Sequence, residues 1–418
     1  MRLSVRWLAL VPAVAAFVAC HDTPTPTGLT TAPDLWASLT MDDAATDYPS
    51  WGGLDLLRDA GGVLHLSVVE HEFGRLQYGE CSGSCANIVD WHLATIDSGP
   101  YQGFGENASS VITSAGMVTV YEDQPGGTGT FQVKIAACAA QCDQLSNWQK
   151  ADLFPGLLGS VNYASTHARA LAADPSGGLH VLFHDADSNG VWYATCAASC
   201  QSGAAWHAVP LDTVGGRVKF AGTNQSILVD SHSTVHVFLE SSDTTEALRY
   251  FECAAACDSA SSWHAVVLAH GYTGRTPSVA LAGTRLAVAF HDRLPGSTVP
   301  TGLIRYGTCD SNCLLPDAWS MRQLPTLAGP DVALAFDAAG RPWVATSYGT
   351  ASHYNGYADL SRCAVTCTSL TEWTTFRIDS LGDGGDVSLI LDPGGTPHIA
   401  VSGMGVHYSE PRPGYTFQ

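Results

Sequence analysis

The sequence predicts an all-β protein, a seven-bladed β-propeller with four antiparallel strands in each blade. Two observations lead to this prediction: a cysteine and tryptophan motif that recurs six times at a nearly constant interval, and four short apolar segments within each interval. A third observation, a strand left over near the N-terminus, raises the number of blades from six to seven.

Twelve of the thirteen cysteines form C-x3-C pairs, and a tryptophan follows the second cysteine of each pair by six residues. Successive tryptophans are 57, 58, 57, 56 and 54 residues apart, and a period in this range is typical of repeat architectures. The pairs predict six local disulfides. Zinc is the alternative, but each unit lacks the further repeated His or Cys that a tetrahedral site needs. The pairs are Cys81 and Cys85, Cys138 and Cys142, Cys196 and Cys200, Cys253 and Cys257, Cys309 and Cys313, and Cys363 and Cys367.

Each unit reads as four short strands, as the third unit illustrates. Residues 168–173 and 179–183 flank an Asp-Pro-Ser-Gly-Gly turn, and residues 190–195 and 206–211 flank the cysteine loop. Four strands in about 55 residues is typical of a propeller blade. The repeated tryptophans are expected to pack between blades, and the histidines repeated in the second strand are expected to be structural. These histidines are His65, His180, His236 and His398.

The seventh blade is predicted to combine the two ends of the chain. After Trp373 the sequence supplies only three further strands, whereas residues 36–42 match the fourth strand of the other units, with Trp36 standing 55 residues before Trp91. We expect the N-terminal strand to complete the C-terminal blade, which leaves no open sheet edge at the seam. A six-bladed ring with an unpaired N-terminus is the alternative.

The N-terminus predicts export. Arg2 and Arg6 precede an apolar stretch too short to span a bilayer, so residues 1–19 are expected to be a signal peptide. The stretch ends in Phe-Val-Ala-Cys, which resembles a bacterial lipobox and predicts lipidation of Cys20, a plain secretory peptide being the alternative. Residues 20–34 are expected to form a Pro/Thr-rich tether and residues 35–418 the propeller. The expected location is the bacterial cell envelope, lipid-anchored and facing either the periplasm or the cell surface.

The charge balance limits the partners. Lys and Arg number 19 against 39 Asp and Glu, a formal net charge of −20, which disfavours nucleic acid and anionic membrane surfaces. Membrane contact is therefore expected only through the lipid anchor, and the partner is expected to be a glycan or an envelope or extracellular protein. We expect a monomer without a cofactor, a Ca²⁺ ion being an option that no motif supports.

The repeat resembles those of bacterial extracellular propeller proteins, broadly of the sialidase-like kind, whose units read L-x-Y-x-x-C-x3-C-x5-W. In the fourth unit the motif is carried by Leu248, Tyr250, Cys253, Cys257 and Trp263. The sialidase Asp-box is absent, because residues 188–192 match it only in part. The resemblance therefore implies the architecture, and no sialidase catalytic residue can be assigned.

Function is expected where the blades differ, on loops that meet at one mouth of the channel. The ends of the second strands and the segments before the first strands meet these conditions. Their carboxylates and histidines could bind sugar hydroxyls or a cation, or act as general acid and base; a solvated polar rim is the alternative. The candidate ligand-binding residues are Trp51, Glu70, His71, Glu122, Asp123, His167, Arg169, His184, Asp185, Glu240, Arg275, His291 and Asp292.

The leading functional hypothesis is a lipid-anchored propeller that binds a glycan or protein ligand on one face without turnover. It rests on the expected lipid tether, on the rigid disulfide-braced scaffold, and on variable polar and aromatic loops without a catalytic signature such as a nucleophile elbow, a P-loop or a zinc-protease motif. The alternatives are a sialidase-like glycoside hydrolase or polysaccharide lyase, and an envelope-assembly scaffold.

Overall fold

The structure is a computed structural model. It describes residues 29–31, 35–42, 53–70, 75–98, 108–123, 132–153, 164–165, 169–185, 190–211, 225–241, 247–271, 273–293, 302–329, 331–348, 357–364, 367–379, 385–402, 405–415 and 417. Residues 1–19, expected to be a signal peptide, and Cys20 lie outside these residues, so the predictions made for them remain untested. No helix among the described residues is long and apolar enough to cross a membrane.

The described chain is built from short β-strands, with single-turn 3-10 helices after the cysteine loops. The helices are Ile88–Asp90, Leu145–Asn147, Gly203–Ala205, Ala260–Ser262, Pro316–Ala318 and Leu370–Glu372. The strands are β1 (Leu29–Thr31), β2 (Trp36–Asp42), β3 (Asp55–Arg58), β4 (Leu64–Glu70), β5 (Arg75–Cys81), β6 (Trp91–Ser98), β7 (Ala108–Thr113), β8 (Gly116–Asp123), β9 (Gln132–Cys138), β10 (Gln149–Asp152), β11 (Ala164–Ser165), β12 (Leu171–Ala173), β13 (Leu179–Asp185), β14 (Gly190–Cys196), β15 (His207–Pro210), β16 (Gln225–Val229), β17 (Val235–Ser241), β18 (Ala247–Cys253), β19 (His264–His270), β20 (Thr273–Ala282), β21 (Arg285–Arg293), β22 (Gly302–Cys309), β23 (Ser320–Ala328), β24 (Val332–Phe336), β25 (Pro342–Tyr348), β26 (Tyr357–Cys363), β27 (Trp373–Asp379), β28 (Val387–Leu391), β29 (Pro397–Ser402) and β30 (Val406–Pro411).

These strands form seven antiparallel sheets, which confirms the seven-bladed prediction. Blades 1 to 6 comprise β3–β6, β7–β10, β12–β15, β16–β19, β20–β23 and β24–β27, and β11 extends blade 3 beside β13. Blade 7 consists of β28, β29, β30 and β2. The first strand of each blade contacts the first strands of both neighbours, and β28 contacts β3. The first strands are therefore innermost, and the ring is closed.

The N-terminal strand closes the ring as the sequence predicts. Strand β2 pairs antiparallel with β30, from Trp36 opposite Pro411 to Asp42 opposite Val406, and the hydroxyls of Ser38 and Ser409 are 2.9 Å apart. Strand β1, inside the segment expected to be a tether, adds a short parallel strand to the outer edge of β27. The domain boundaries themselves stay a prediction.

Strand direction gives the propeller two distinct faces. In blade 1 the start of the second strand, Leu64, lies opposite Cys81, and the end of that strand, Glu70, lies opposite Arg75. The turns between first and second strands and the cysteine loops therefore share one face, which we call the lower face. The ends of the second strands and the starts of the first strands lie on the upper face.

The repeated residues are scaffold residues, as expected. All six C-x3-C pairs form disulfides. In five blades the tryptophan indole N–H donates to the carbonyl of the second cysteine at 2.8–2.9 Å. In five blades the indole ring also packs edge-on against a tyrosine of the preceding blade, as Trp263 does against Tyr193 at a centroid distance of 4.8 Å; the other four tryptophans are Trp91, Trp148, Trp319 and Trp373. Aromatic contacts between blades thus confirm the packing predicted for the tryptophans.

The repeated histidines are also structural. In each case the ring Nδ1 lies 2.6–2.8 Å from a tyrosine hydroxyl on the third strand of the same blade. In three of these blades the tyrosine hydroxyl also donates to a glutamate two residues further on. These networks lie between the lower turns and the cysteine loops, so they brace the lower face.

Candidate functional site

The second strands end in polar side chains that are buried. Glu122, Asp123, His184, Glu240 and His291 are between 0% and 7% exposed. A solvated rim is therefore excluded for these five residues. Since a second strand is covered by both its sheet neighbours and the adjacent blades, even its last polar residues are enclosed, which composition alone did not indicate.

Two of the strand-end carboxylates are paired with cations from the third strand of their own blade. Asp123 accepts from the Lys134 ammonium at 2.5 Å, and Asp292 pairs with Arg305 and accepts from the Thr273 hydroxyl. Burial raises the pKa of Asp292, although both partners oppose the shift. These pairs anchor each carboxylate within its blade rather than presenting it to a ligand.

The remaining sequence candidates fall into two groups. Trp51, His71 and His167 lie outside the described residues. Three more are in strands whose backbones are described while their side chains are not. These three are Glu70 in β4, Asp185 in β13 and Arg275 in β20.

Of the sequence candidates whose side chains the structure describes, Arg169 is the one that lies at the propeller axis. It stands two residues before the first strand of blade 3, and its guanidinium donates from Nη1 and Nη2 to both carboxylate oxygens of Asp331, each at 2.9 Å. Nη2 also donates to the Val387 carbonyl at 2.8 Å. Asp331 belongs to blade 6 and Val387 to blade 7. Because blades 3 and 6 are not neighbours, the arginine side chain crosses the channel.

Two further carboxylates surround this ion pair. Asp55 of blade 1 and Asp386 of blade 7 both interact electrostatically with Arg169. We call Asp55, Arg169, Asp331 and Asp386 the axial cluster. Its members come from four blades and lie at or just before the starts of the first strands, so the cluster occupies the upper mouth of the channel.

The axial cluster has unusual electrostatics. Burial raises the pKa of Asp55 to about 7, although the Ser110 N–H, which donates to it at 2.6 Å, and Arg169 oppose the shift. Burial and the neighbouring Asp331 raise the pKa of Asp386 to about 6, against Arg169 and the N–H groups of Gly53 and Leu54.

The same environment acts on the arginine in the opposite sense. Burial alone would lower the pKa of Arg169, but the ion pair with Asp331 and the other two carboxylates raise it. A permanent cation therefore stands beside carboxyl groups that change charge near neutral pH.

The backbone at Arg169 is strained. Its φ of +63° lies in the left-handed region, which non-glycine residues rarely adopt. Several other positive φ values belong to the scaffold, since the residue before the second cysteine repeats this conformation in four blades, at Gln141, Ser199, Ala256 and Asn312. The strained conformation of Arg169, by contrast, is not part of this repeated pattern, and it occurs at the channel mouth. Strain of this kind clusters at functional sites.

The carboxylates also hold the blades together. Asp331 accepts from the Val387 N–H of the next blade at 2.9 Å. Asp55 stands where other blades carry a serine that makes the same inter-blade bond, such as Ser388, which accepts from the Leu56 N–H at 3.0 Å. Sequence reasoning missed Asp55, Asp331 and Asp386 because it compared the residues just upstream. Carboxylates at the starts of the first strands of blades 1, 6 and 7 were the available signal.

The described residues contain no cluster of three or more His, Cys, Asp or Glu that could hold a metal ion. The calcium option stays untested, since loops of the upper face lie outside that part of the chain. The carboxyl groups and the guanidinium of the axial cluster can transfer protons and can form hydrogen bonds to hydroxyl or carboxylate groups.

Comparisons with known proteins locate the chain by its fold. No protein-family model matches the sequence, and no curated protein matches it significantly. Among solved structures, the α-L-arabinanase of Penicillium chrysogenum complexed with arabinobiose has a TM-score of 0.50 and 11% identity, covering 89% of this chain and 97% of that chain. The α-L-arabinofuranosidase Arb93A of Fusarium graminearum in complex with an iminosugar inhibitor has a TM-score of 0.51 and 11% identity, covering 90% and 98%. The polysaccharide lyase Uly1 has a TM-score of 0.51 and 9% identity, covering 86% and 89%.

At this level of identity the likenesses establish the fold alone. The chain is a closed seven-bladed β-propeller with disulfide-braced blades, and its upper mouth holds a largely buried cluster of one arginine and three aspartates.

Proposed function

We propose that the protein is a carbohydrate-active enzyme that cleaves a polysaccharide or oligosaccharide at the axial cluster, by glycoside hydrolysis. The observation that carries the proposal is the convergence of Asp55, Asp386 and the Arg169–Asp331 pair at the channel mouth. The leading hypothesis from the sequence was binding without turnover. We now favour an enzyme, because the axial cluster offers a candidate acid and a candidate base, which the residues at the ends of the second strands did not.

The two titrating carboxyl groups divide the roles. Glycoside hydrolysis uses one protonated carboxyl as general acid and one carboxylate as base or nucleophile. Between about pH 6 and pH 7, Asp386 is mainly ionised and Asp55 mainly protonated. When the surroundings give two carboxyl groups different pKa values, one group can act as the acid and the other as the base. We therefore assign the acid role to Asp55 and the base or nucleophile role to Asp386.

Arg169 would position the substrate and tune this pair. A guanidinium beside two titrating carboxyls favours their ionised forms and limits their pKa shifts. Its ion pair with Asp331 also fixes the spacing of blades 3 and 6, on which the cluster depends. Support from outside the chain comes from the solved propellers of similar fold, which are named as an arabinanase, an arabinofuranosidase and a polysaccharide lyase.

The test is cleavage of a polysaccharide panel, arabinan included, by the oxidised mature chain. New reducing ends report hydrolysis, and the ultraviolet absorbance of unsaturated uronate products reports lyase action. With an active substrate, kcat/KM should depend on pH as a bell with limbs near 6 and 7. Asp55→Asn and Asp386→Asn should each lower kcat by about 100-fold or more.

The matched control is Asp359→Asn. Asp359 is a buried carboxylate of blade 6 that accepts from Arg377 at 2.5 Å, and it is not part of the axial cluster. This variant should retain the activity of the parent. Equal activity in all three variants, or release of product from no polysaccharide, would refute the assignment.

Glycan binding without turnover is the second candidate. It is favoured by the structural use of the same carboxylates, since Asp331 and Asp55 accept inter-blade N–H bonds and Arg169 is held by two blades. Saturable binding of a glycan with no product release would support this candidate. Export and lipid anchoring in the cell envelope are part of both proposals.

A further inference from the structure

The exposed apolar side chains of the described residues are concentrated on one face. Six large apolar side chains are exposed, and five of them stand between the second cysteine and the tryptophan of a repeat. The sixth, Leu93, lies on β6. We call the five the apolar loop tips: Ile88, Val89, Leu145, Leu315 and Leu370, which are 40–74% exposed. Single exposed apolar residues are common on any protein, but here they lie in the same loop of the repeat, two to four residues after the second cysteine, on the lower face.

The loop tips occupy one side of the ring. They belong to blades 1, 2, 5 and 6, whereas the matching positions of blades 3 and 4 hold Gly203 and Ala260. Blade 7 lies between blades 6 and 1, and its fourth strand comes from the N-terminus instead of following a cysteine loop. The tips therefore form an arc centred on blade 7.

The N-terminal segment leaves the propeller at the middle of this arc. Trp36 is at the lower end of β2, because it pairs with the last residue of β30. Upstream, Leu29 pairs with Thr375, two residues from the lower end of β27 in blade 6. Cys20 is nine residues before Leu29, so a fully extended chain places them at most about 30 Å apart. A lipid on Cys20 can therefore reach the loop tips.

We propose that the lower face, along the arc of blades 5, 6, 7, 1 and 2, lies against the lipid bilayer in which Cys20 is anchored. The apolar loop tips enter the interfacial region and supply a second membrane contact beside the lipid. The proposal differs from the sequence-based expectation, in which the lipid anchor is the only membrane contact. This inference does not depend on the proposed catalytic activity.

The negative charge on this face determines which kind of lipid headgroup it can contact. Acidic residues stand beside the tips in every one of the four loops, for example Asp90, Asp143, Asp317 and Glu372. With a net charge of −20, the protein should be repelled by anionic headgroups at low salt. The favoured surface is therefore one of zwitterionic headgroups, and raising the salt concentration should strengthen contact with mixed anionic bilayers.

The test is hydrogen exchange of the lipidated protein, purified with its native anchor and reconstituted into phosphatidylcholine vesicles. Relative to a soluble form without Cys20, amide exchange in the loops at 82–90, 139–147, 310–318 and 367–372 should slow by at least about fivefold. Exchange in the corresponding loops of blades 3 and 4, at 197–205 and 254–262, should be unchanged.

Two variants isolate the contribution of the tips. Serine at all five loop-tip positions should abolish the slowing while the protein stays folded and anchored, because these side chains are already exposed to solvent. Leu93→Ser, the same chemical change outside the loops, should leave it intact. Equal exchange in all six cysteine loops, no slowing at all, or an intact protein without lipid on Cys20 by mass spectrometry would overturn the proposal. Slowed exchange that persists in the five-serine variant would also overturn it. So would slowing that increases with protein concentration, because that dependence would indicate that a second copy of the protein covers the loop tips.

Discussion

Replacing Asp55 with asparagine should change how the stability of the propeller depends on pH. The pKa of Asp55 is about 7 in the folded protein against 3.8 for the ordinary group. Between these values the folded protein holds a proton that the unfolded chain has lost. The free energy of unfolding should therefore fall as the pH rises from about 4 to about 7, and level off above that.

The magnitude follows from the size of the shift. A difference of about three pKa units corresponds to about 4 kcal/mol at 1.36 kcal/mol per unit. The asparagine of Asp55→Asn cannot ionise but can still accept the Ser110 N–H, so the variant should lack this part of the pH dependence. The titration of Asp386 occurs in both proteins and largely cancels in the comparison. The variant should gain about 4 kcal/mol relative to the parent between pH 4 and pH 8.

Urea denaturation measures this difference. Unfolding of both proteins is followed by tryptophan fluorescence and circular dichroism at several pH values, with disulfides intact and reversibility checked. Asp174→Asn is the control of opposite sign, since hydrogen bonds from Ser176 and Gly178 outweigh burial and lower the pKa of Asp174. The ionised Asp174 carboxylate of the parent stabilises the folded protein, and this contribution to the free energy of unfolding should be lost as the pH falls. A difference between Asp55→Asn and the parent that stays constant within about 1 kcal/mol across the pH range would refute the reasoning.

Four further predictions concern the scaffold. Arg169→Ala leaves a buried carboxylate without its cation, so the free energy of unfolding should fall by about 3 kcal/mol or more, measured by denaturation at pH 7, and a loss below about 1 kcal/mol would contradict the axial ion pair. Replacing Cys253 and Cys257 together with serine removes a five-residue closed loop, which should cost about 2 kcal/mol by chain entropy and leave the circular dichroism spectrum unchanged. Trp263→Ala removes an inter-blade ring contact and should cost about 3–5 kcal/mol in the same denaturation assay. Leu39→Pro in β2 should open the seam and produce oligomers in analytical ultracentrifugation, because the edge of β30 becomes available for pairing, and a monomer as stable as the parent would argue against closure by this strand.

The fold could be predicted from the sequence because each blade repeats the same packing solution. Trp263 and its equivalents stand at a nearly constant interval because each packs against the preceding blade, in five of the six cases against a tyrosine. The match of Trp36 to that interval was enough to predict the closed seam. The sequence repeat reveals contacts between adjacent blades, because nearly the same contact recurs in every blade.

The candidate site could be predicted only in part, for a related reason. Arg169 was found because it lies beside the segments before the first strands, where the blades differ. Asp331 and Asp386 were missed although carboxylates stand at those strand starts in the sequence, because their proximity to Arg169 arises from closure of the ring and not from nearness in the chain. The burial of Glu122 and His291 was missed too, since neighbouring blades enclose positions that strand position alone suggests are exposed. Closure of the ring thus supplies the information that a single repeat lacks.

The seam between β2 and β30 also orders the folding of the chain in time. The hydroxyl groups of Ser38 and Ser409 that meet there are 371 residues apart in sequence. Loop closure over such a distance costs more entropy than the pairing of neighbouring strands, so we expect this pairing to form late. During the proposed export the N-terminal strand crosses the membrane first and remains without its partner until the final blade has followed. Throughout that interval it exposes an unpaired edge, and a chain released before residue 406 carries a permanently open ring.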